Sequence, residues 1–117
     1  MDNKEIIQEV INAFDNSDVE TILRHVTDDI VWEMRDDKGM VVNGKENLLN
    51  FFSEYNEMKM VGSTKDHIIV DVDQVAVDGI VKMKGKDAVP FEMYYCDIYE
   101  LKEGKISKMI SYVNKKL

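Results

Sequence analysis

The spacing of apolar residues divides the chain into a helical first part and an extended second part. Apolar positions three and four residues apart predict two short helices at the start. The first is carried by Ile6, Ile7, Val10, Ile11 and Phe14, and the second by Val19, Ile22, Leu23 and Val26. Ser17, followed three residues later by Glu20, has the pattern of a capping box, so Ser17 is predicted to cap the second helix.

After these helices the apolar period changes to two, which is typical of strands. A strand is predicted at residues 30–34 and a shorter one at 40–42. Asn43, with Glu46 three residues on, is predicted to cap a third helix. That helix carries the apolar residues Leu48, Leu49, Phe51, Phe52 and Tyr55. Strands are then predicted near residues 65–72, 75–84, 90–101 and 105–114.

This order of elements, with short loops between the last strands, predicts a single α+β domain over residues 1–117. Long antiparallel strands twist and curl, so the sheet is expected to be strongly curved. We expect the three helices to cover one side of it and to enclose an apolar pocket.

Composition narrows the classes of partner. The formal net charge is −8. Because negative charge on the protein repels phosphate groups, nucleic acid and anionic membranes are not expected partners. The sequence lacks a long apolar stretch and the N-terminus lacks the features of a signal peptide, so we expect a cytoplasmic protein.

Metal and cofactor sites are not expected either. Cys96 is the single cysteine, which excludes an internal disulfide and a cysteine-based zinc site. The two histidines, His25 and His67, do not have a metal-ligand spacing, and no glycine-rich phosphate loop is present. No cofactor is therefore predicted.

A single carboxylate interrupts an apolar row in the strand at 90–101. Alternation places six side chains on one face, namely Phe91, Met93, Tyr95, Asp97, Tyr99 and Leu101. Because an ionised carboxylate costs several kcal/mol to bury, Asp97 must find partners or become protonated.

Two interpretations of Asp97 remain open. In one, Asp97 pairs with a base such as His67, Arg24 or Arg35, or accepts backbone amides, and only stabilises the sheet. In the other, Asp97 lies in a ligand cavity, has a raised pKa, and donates a hydrogen bond to a developing oxyanion or exchanges a proton. Tyr95 and Tyr99, on the same face, are the candidate residues to assist it.

A ligand-binding wall can be proposed around this carboxylate. Its candidate residues are apolar or aromatic side chains from several elements: Phe14, Trp32, Met34, Phe52, Tyr55, Val81, Met83 and Met93. Eight methionines are many for this length, and flexible thioethers suit an adaptable pocket. The competing interpretation is that most of these residues form ordinary core, which is the more frequent role of such side chains.

Several short motifs, in order, resemble one known family. They are Asp15-Asn16-Ser17-Asp18, Asp28-Asp29-Ile30-Val31-Trp32, Asn43-Gly44-Lys45-Glu46, and the run from Asp97 to Ile106. Together with the order of elements, they resemble the SnoaL-like branch of the nuclear transport factor 2-like superfamily across nearly the whole chain. The resemblance implies a cone-shaped α+β fold with an internal pocket, and a homodimer formed through the outer surface of the sheet.

The resemblance implies a range of activities, since this branch includes polyketide cyclases, ketosteroid isomerases, epoxide hydrolases and proteins without known catalysis. Asp97 matches the position of the protonated oxyanion-hole aspartate of ketosteroid isomerases. Met34 and Val10 stand where those enzymes have their proton-shuttling aspartate and their oxyanion tyrosine, which argues against that specific activity. We therefore expect a protein that binds a small hydrophobic molecule, either a lyase, isomerase or cyclase acting on a carbonyl compound or a non-catalytic dimeric module.

Overall fold

The computed structural model describes residues 1–54, 59–87 and 89–117. Three helices and seven strands lie within these ranges. The helices are α1 (Asn3–Asp15), α2 (Val19–Arg24) and α3 (Lys45–Glu54). The strands are β1 (Val26–Arg35), β2 (Met40–Asn43), β3 (Lys59–Ser63), β4 (His67–Asp71), β5 (Gln74–Lys84), β6 (Pro90–Lys102) and β7 (Lys105–Lys115).

The seven strands form one curved, open sheet in the order β2-β1-β7-β6-β5-β3, and β4 also pairs with β5. All the strand pairs are antiparallel except β1 with β7, which run parallel. The long strands β5, β6 and β7 were expected from their alternation, and each lies within one residue of its predicted bounds. The α+β prediction is confirmed.

The helices cover one face of the sheet, which we call the inner face; it carries Tyr95, Asp97 and Tyr99 of β6. The opposite or outer face carries Tyr94, Cys96 and Ile98. The core lies between helices and inner face, and its fully buried side chains include Ile7 and Val10 of α1, Val75 and Val77 of β5, Tyr99, and Ile106 of β7. None of the helices in the described part of the chain is long and apolar enough to span a membrane.

Both predicted helix caps differ from the structure by one residue. Ser17 does not cap α2, because it adopts a left-handed backbone conformation with φ of 56°. Asp18 is the cap, and its carboxylate accepts hydrogen bonds from the amide and the hydroxyl of Thr21. Asn43 ends β2, so Gly44 stands directly before α3. An aspartate carboxylate satisfies a free helix amide as well as a serine hydroxyl does. The capping-box spacing favours Ser17, and for that reason it predicts the wrong one of two neighbouring capping residues.

The strand predicted at 65–72 is β4, whereas β3, which precedes it, was not predicted. Both strands pair with β5, one with each half of it. Between them the backbone stays close to β5, since the amide of Thr64 donates to the carbonyl of Ile80 and the amide of Asp66 donates to that of Asp78.

Gly79 makes this crossing possible. A Cβ atom at position 79 would lie 2.2 Å from the carbonyl oxygen of Thr64, far inside any real contact distance. The absence of a side chain therefore lets the connection between β3 and β4 lie directly on the inner face of β5.

Candidate functional site

Asp97 lies on the inner face, as its position in the alternating pattern predicts, and belongs to a chain of hydrogen bonds between three strands. Its neighbour across the β6–β7 ladder is Ser111, whose hydroxyl lowers the pKa of the Asp97 carboxylate. The indole Nε1 of Trp32, on β1, donates to Ser111 Oγ at 2.9 Å. The hydroxyl of Tyr99 donates to Asp97 Oδ2 at 3.4 Å.

The bases that sequence reasoning offered as partners of Asp97 are engaged elsewhere. His67 contacts Asp78 on the outer face at 2.8 Å, Arg24 donates to the hydroxyl of Thr21, and Arg35 pairs with Glu33. Asp97 is therefore stabilised by hydroxyl groups, and the ion-pair interpretation was wrong for all three bases.

Burial dominates the electrostatics of Asp97. Surrounding protein atoms desolvate the carboxylate and raise its pKa to about 6, and the hydrogen bonds from Ser111 and Tyr99 only partly oppose this. The residue nevertheless keeps partial access to solvent.

Tyr99 and Tyr95 differ in what their hydroxyls do. Tyr99 is 1% exposed, and its hydroxyl faces Asp97; burial and the nearby carboxylate raise its pKa well above the usual value. Tyr95 instead donates to the carbonyl oxygen of Thr64 at 2.6 Å. Burial, together with the charges of Asp97 and Asp15, raises the pKa of Tyr95 to about 12. Both tyrosines are thus neutral hydrogen-bond donors at physiological pH.

A second polar contact stands beside Tyr95. The hydroxyl of Ser63, at the end of β3, donates to the carboxylate of Asp15, at the end of α1, with both oxygen atoms at 3.0 Å. This contact joins the first helix to the connection that crosses Gly79. No pattern in the sequence links these two residues, which are 48 positions apart.

Three of the residues predicted to bind a ligand form one aromatic cluster. The ring centroid of Phe14 lies 5.8 Å from that of Trp32 and 5.9 Å from that of Phe52, and Phe51 completes the cluster. The rings meet largely edge to face, which is a favourable arrangement for aromatic pairs. The cluster connects α1, β1 and α3.

The remaining predicted wall residues lie on three strands. Met34, Met83 and Met93 are partly buried and pack against the core, while Val81 is buried in it. Val81 is the cross-strand neighbour of Met93. Tyr55 lies outside the described residues. The structure therefore brings the aromatic residues together, and distributes the methionines along the inner face.

Asp97 lines neither of the two cavities that we describe. One is apolar, has a volume of about 10 Å³, and is lined by Phe14, Trp32 and core residues of the helices and of β1 and β7. It holds at most one water-sized body. The other is an open cleft of about 210 Å³ on the outer side, where Tyr94, Cys96 and Tyr112 meet Asp66 and Asp78.

Ser111 is the site residue that sequence reasoning missed. It is 7% exposed and interrupts the inward row of β7 between Met109 and Val113, as Asp97 interrupts the row of β6. The same signal, one polar residue in an apolar row, was therefore available. Within the described ranges, no group of three or more histidine, cysteine or acidic residues is arranged to hold a metal ion.

Comparisons with known proteins agree with this architecture. The family described as the SnoaL-like domain matches residues 7–109. A comparison with curated protein sequences gave no match. Many solved structures have the same fold, and three are described here.

An NTF2-like protein of unknown function from Burkholderia pseudomallei superposes with a TM-score of 0.84 at 16% identity, over 97% of this chain and 92% of that one. A protein assigned as a SnoaL-like polyketide cyclase from Shewanella denitrificans gives a TM-score of 0.84 at 10% identity, over 96% and 90% of the two chains. An LEH-like epoxide hydrolase from M. tuberculosis gives 0.82 at 16% identity, over 94% and 80%. At these identities the likeness concerns the fold alone.

Proposed function

This chain belongs to the SnoaL-like domain family, and from that premise we propose that it binds a small hydrophobic molecule inside the cone and acts on it by acid–base chemistry at Asp97. The family and the fold suggest a ligand-binding or an isomerase- or cyclase-type function. Our proposal adds a substrate class, hydrophobic compounds with an enolisable carbonyl group, and a chemical role, in which Asp97 removes a proton as a general base.

The observation that carries the proposal is the state of the Asp97 carboxylate. It is surrounded by protein yet accessible, accepts a hydrogen bond from Tyr99, and has a pKa of about 6. A general base works best when its pKa lies near the operating pH, because it is then largely ionised and still basic enough to take a proton. A solvent-exposed aspartate would be a weaker base by about two pH units.

The two tyrosines have supporting roles in this proposal. Tyr99 is fully buried, so it orients Asp97 and does not reach a ligand. Tyr95 holds the connection across Gly79 through its bond to Thr64, and thereby shapes the wall of the pocket. Asp97 is then the one of the three predicted catalytic residues that would touch the substrate.

The test measures proton removal directly. 2-Tetralone, a hydrophobic enolisable ketone, is incubated with the protein in deuterated buffer, and exchange of its C1 hydrogens is followed by NMR. We expect the wild type to accelerate the exchange and Asp97→Asn to lower the acceleration by about 100-fold or more, since positioned general bases contribute factors of this size. Asp37→Asn, which removes an exposed carboxylate in the β1–β2 turn, is the matched control and should leave the rate unchanged.

The same experiment separates catalysis from binding. Trp32 is the only tryptophan, so its fluorescence reports a ligand inside the cone. A saturable fluorescence change without accelerated exchange would contradict the catalytic role for this substrate class and favour a binding module. Equal acceleration by Asp97→Asn would exclude Asp97 as the base.

The second candidate, a non-catalytic dimeric module, is supported by the outer face of the sheet. Four apolar residues, one from each of four adjacent strands, form a row there in register: Ile69, Ala76, Ile98 and Ile110. Ile69 is 64% exposed, and Tyr94, two rows further along the outer face, is 49% exposed. A contiguous apolar surface of this kind is typical of an interaction site.

We propose that a second copy of the chain covers this face. The next row in register carries Asp78 beside His67 at the β4 end, and Arg35, which pairs with Glu33, at the β1 end. A two-fold axis along the strands would place the β4 end of one copy opposite the β1 end of the other, so Asp78 of one copy would face Arg35 of the other. Dimerisation is compatible with both candidate functions, and a cytoplasmic location stays a prediction from the sequence.

A further inference from the structure

The neighbours of Ser111 determine the direction in which its hydroxyl proton points. An indole N–H can only donate, so Ser111 Oγ must act as the acceptor in its 2.9 Å bond to Trp32 Nε1. The single proton of the serine hydroxyl is then free to point at one acceptor. Asp97 lies directly opposite Ser111 in the β6–β7 ladder, and the serine hydroxyl lowers its pKa, so this carboxylate is the acceptor that the geometry points to.

A hydroxyl donor beside the carboxyl group of Asp97 favours its ionised form. A carboxylate accepts a hydrogen bond from Ser111 more strongly than a neutral carboxyl group does, because the acceptor is then charged. The hydroxyl of Tyr99, which also donates to Asp97, acts in the same direction.

We propose that Ser111 is a positioning residue, aimed by Trp32, that donates a hydrogen bond to Asp97 and favours its ionised form, in which the carboxylate can take a proton from a ligand. The inference rests on the proposed function, because it assigns a direction to the chemistry at the same carboxylate. It also separates this chain from the protonated oxyanion-hole aspartate that the position of Asp97 resembles.

The surroundings of Asp97 contain few other groups that could set its charge. On its own strand the titratable neighbours are Tyr95 and Tyr99, both neutral at physiological pH. Across β5 its partner is the apolar Val77. The carboxylate of Asp15, on α1, raises the pKa of both tyrosines and accepts a hydrogen bond from Ser63. Among the described residues the serine is thus the group on a neighbouring strand that bonds to Asp97.

The test follows the carboxyl group of Asp97 by NMR titration of protein labelled with ¹³C in its aspartates, with Asp97→Asn used to assign the signal. We expect Ser111→Ala to move the titration midpoint of Asp97 upward by about one pH unit, because the ionised form loses a donor. Ser111→Thr keeps the hydroxyl and should restore the wild-type midpoint. Trp32→Phe removes the aiming donor and should cause a smaller upward movement.

A control separates this effect from general loosening of the core. Ser63→Ala also removes a buried-face hydroxyl that bonds to a carboxylate, but that carboxylate is Asp15. It should leave the Asp97 midpoint unchanged. An unchanged or lower midpoint in Ser111→Ala, or an equal movement in Ser63→Ala and Ser111→Ala, would overturn the proposal.

The titration needs no substrate, so the outcome is independent of the exchange experiment with 2-tetralone. If Ser111→Ala moves the midpoint and the wild type shows no exchange, the positioning role stands and the catalytic proposal for this substrate class fails. If exchange depends on Asp97 but Ser111→Ala leaves both midpoint and rate unchanged, the catalytic proposal stands and the positioning role fails.

Discussion

At the scale of single residues, the buried carboxylate of Asp97 destabilises the fold when it is ionised, yet the proposed function needs that ionised form. The alternating pattern of its strand was enough to predict that it points inward, because side-chain direction in a strand follows from position alone. Its partners could not be predicted in the same way. Ser111 lies on another strand, and the register between two strands is set by turns and packing that no single-strand pattern contains.

The raised pKa of Asp97 makes the free energy of unfolding depend on pH. Burial raises the pKa of Asp97 from 3.8 to about 6, so between these values the folded protein binds this proton more tightly than the unfolded chain does. The free energy of unfolding contributed by this group therefore falls as the pH rises from about 4 to about 6. Above that window the full cost of the buried charge remains.

We accordingly expect Asp97→Asn to be more stable than the wild type at pH 7.5, by about 2 kcal/mol, because the amide is neutral and nearly isosteric. The difference should shrink as the pH falls towards 4, where the wild-type carboxyl is protonated. Urea unfolding at the two pH values, followed by Trp32 fluorescence, measures both numbers. A variant less stable than the wild type at pH 7.5 would mean that the hydroxyl donors outweigh the cost of burial.

At the scale of elements, the crossing between β3 and β4 is the feature that sequence reasoning missed. The alternation from residue 65 onward was clear, whereas β3 is five residues long, contains Gly62, and has an irregular register with β5. Short strands with a glycine give a weak pattern. The role of Gly79, which is to make room for the backbone of Thr64, also leaves no signal in the alternating pattern of β5.

This role predicts a contrast between two glycines in neighbouring strands. Gly79→Ala should destabilise the fold by about 2 kcal/mol or more, because the added methyl group collides with backbone atoms that are hydrogen-bonded in place. Gly62→Ala should have little effect, since a Cβ there meets no atom within 4 Å. Thermal unfolding of the two variants provides the comparison. Equal losses in both would show that the close approach at Gly79 is not what limits stability.

At the scale of the whole molecule, fold class and helix–sheet arrangement were predictable because long strands with strict alternation leave few alternatives. The cone-like curvature and the order of elements followed from those strands and from the family resemblance. The parallel pairing of β1 with β7 did not follow, because neighbours in the sheet that are distant in the chain leave no local signal.

Assembly is also tested at this scale. If a second copy covers the outer face, Ile110→Glu should convert a dimer into a monomer, because Ile110 lies in the middle of the apolar row and a carboxylate there would be buried without a partner. Leu49→Glu is the matched control: Leu49 is an exposed apolar residue on α3, away from that face. Sedimentation velocity at micromolar concentration gives the mass of each. A monomeric wild type would contradict the proposed dimer.

The pairing of β1 with β7 has a consequence for how the chain reaches its native state. Trp32 and Ser111 are 79 positions apart, so the contact that completes the Asp97 network forms only after a long segment has been brought back to the beginning. Closing such a loop costs entropy before any contact rewards it, which slows the rate-limiting step. During translation, the edge of β1 that pairs with β7 therefore stays unpaired until β7 has left the ribosome.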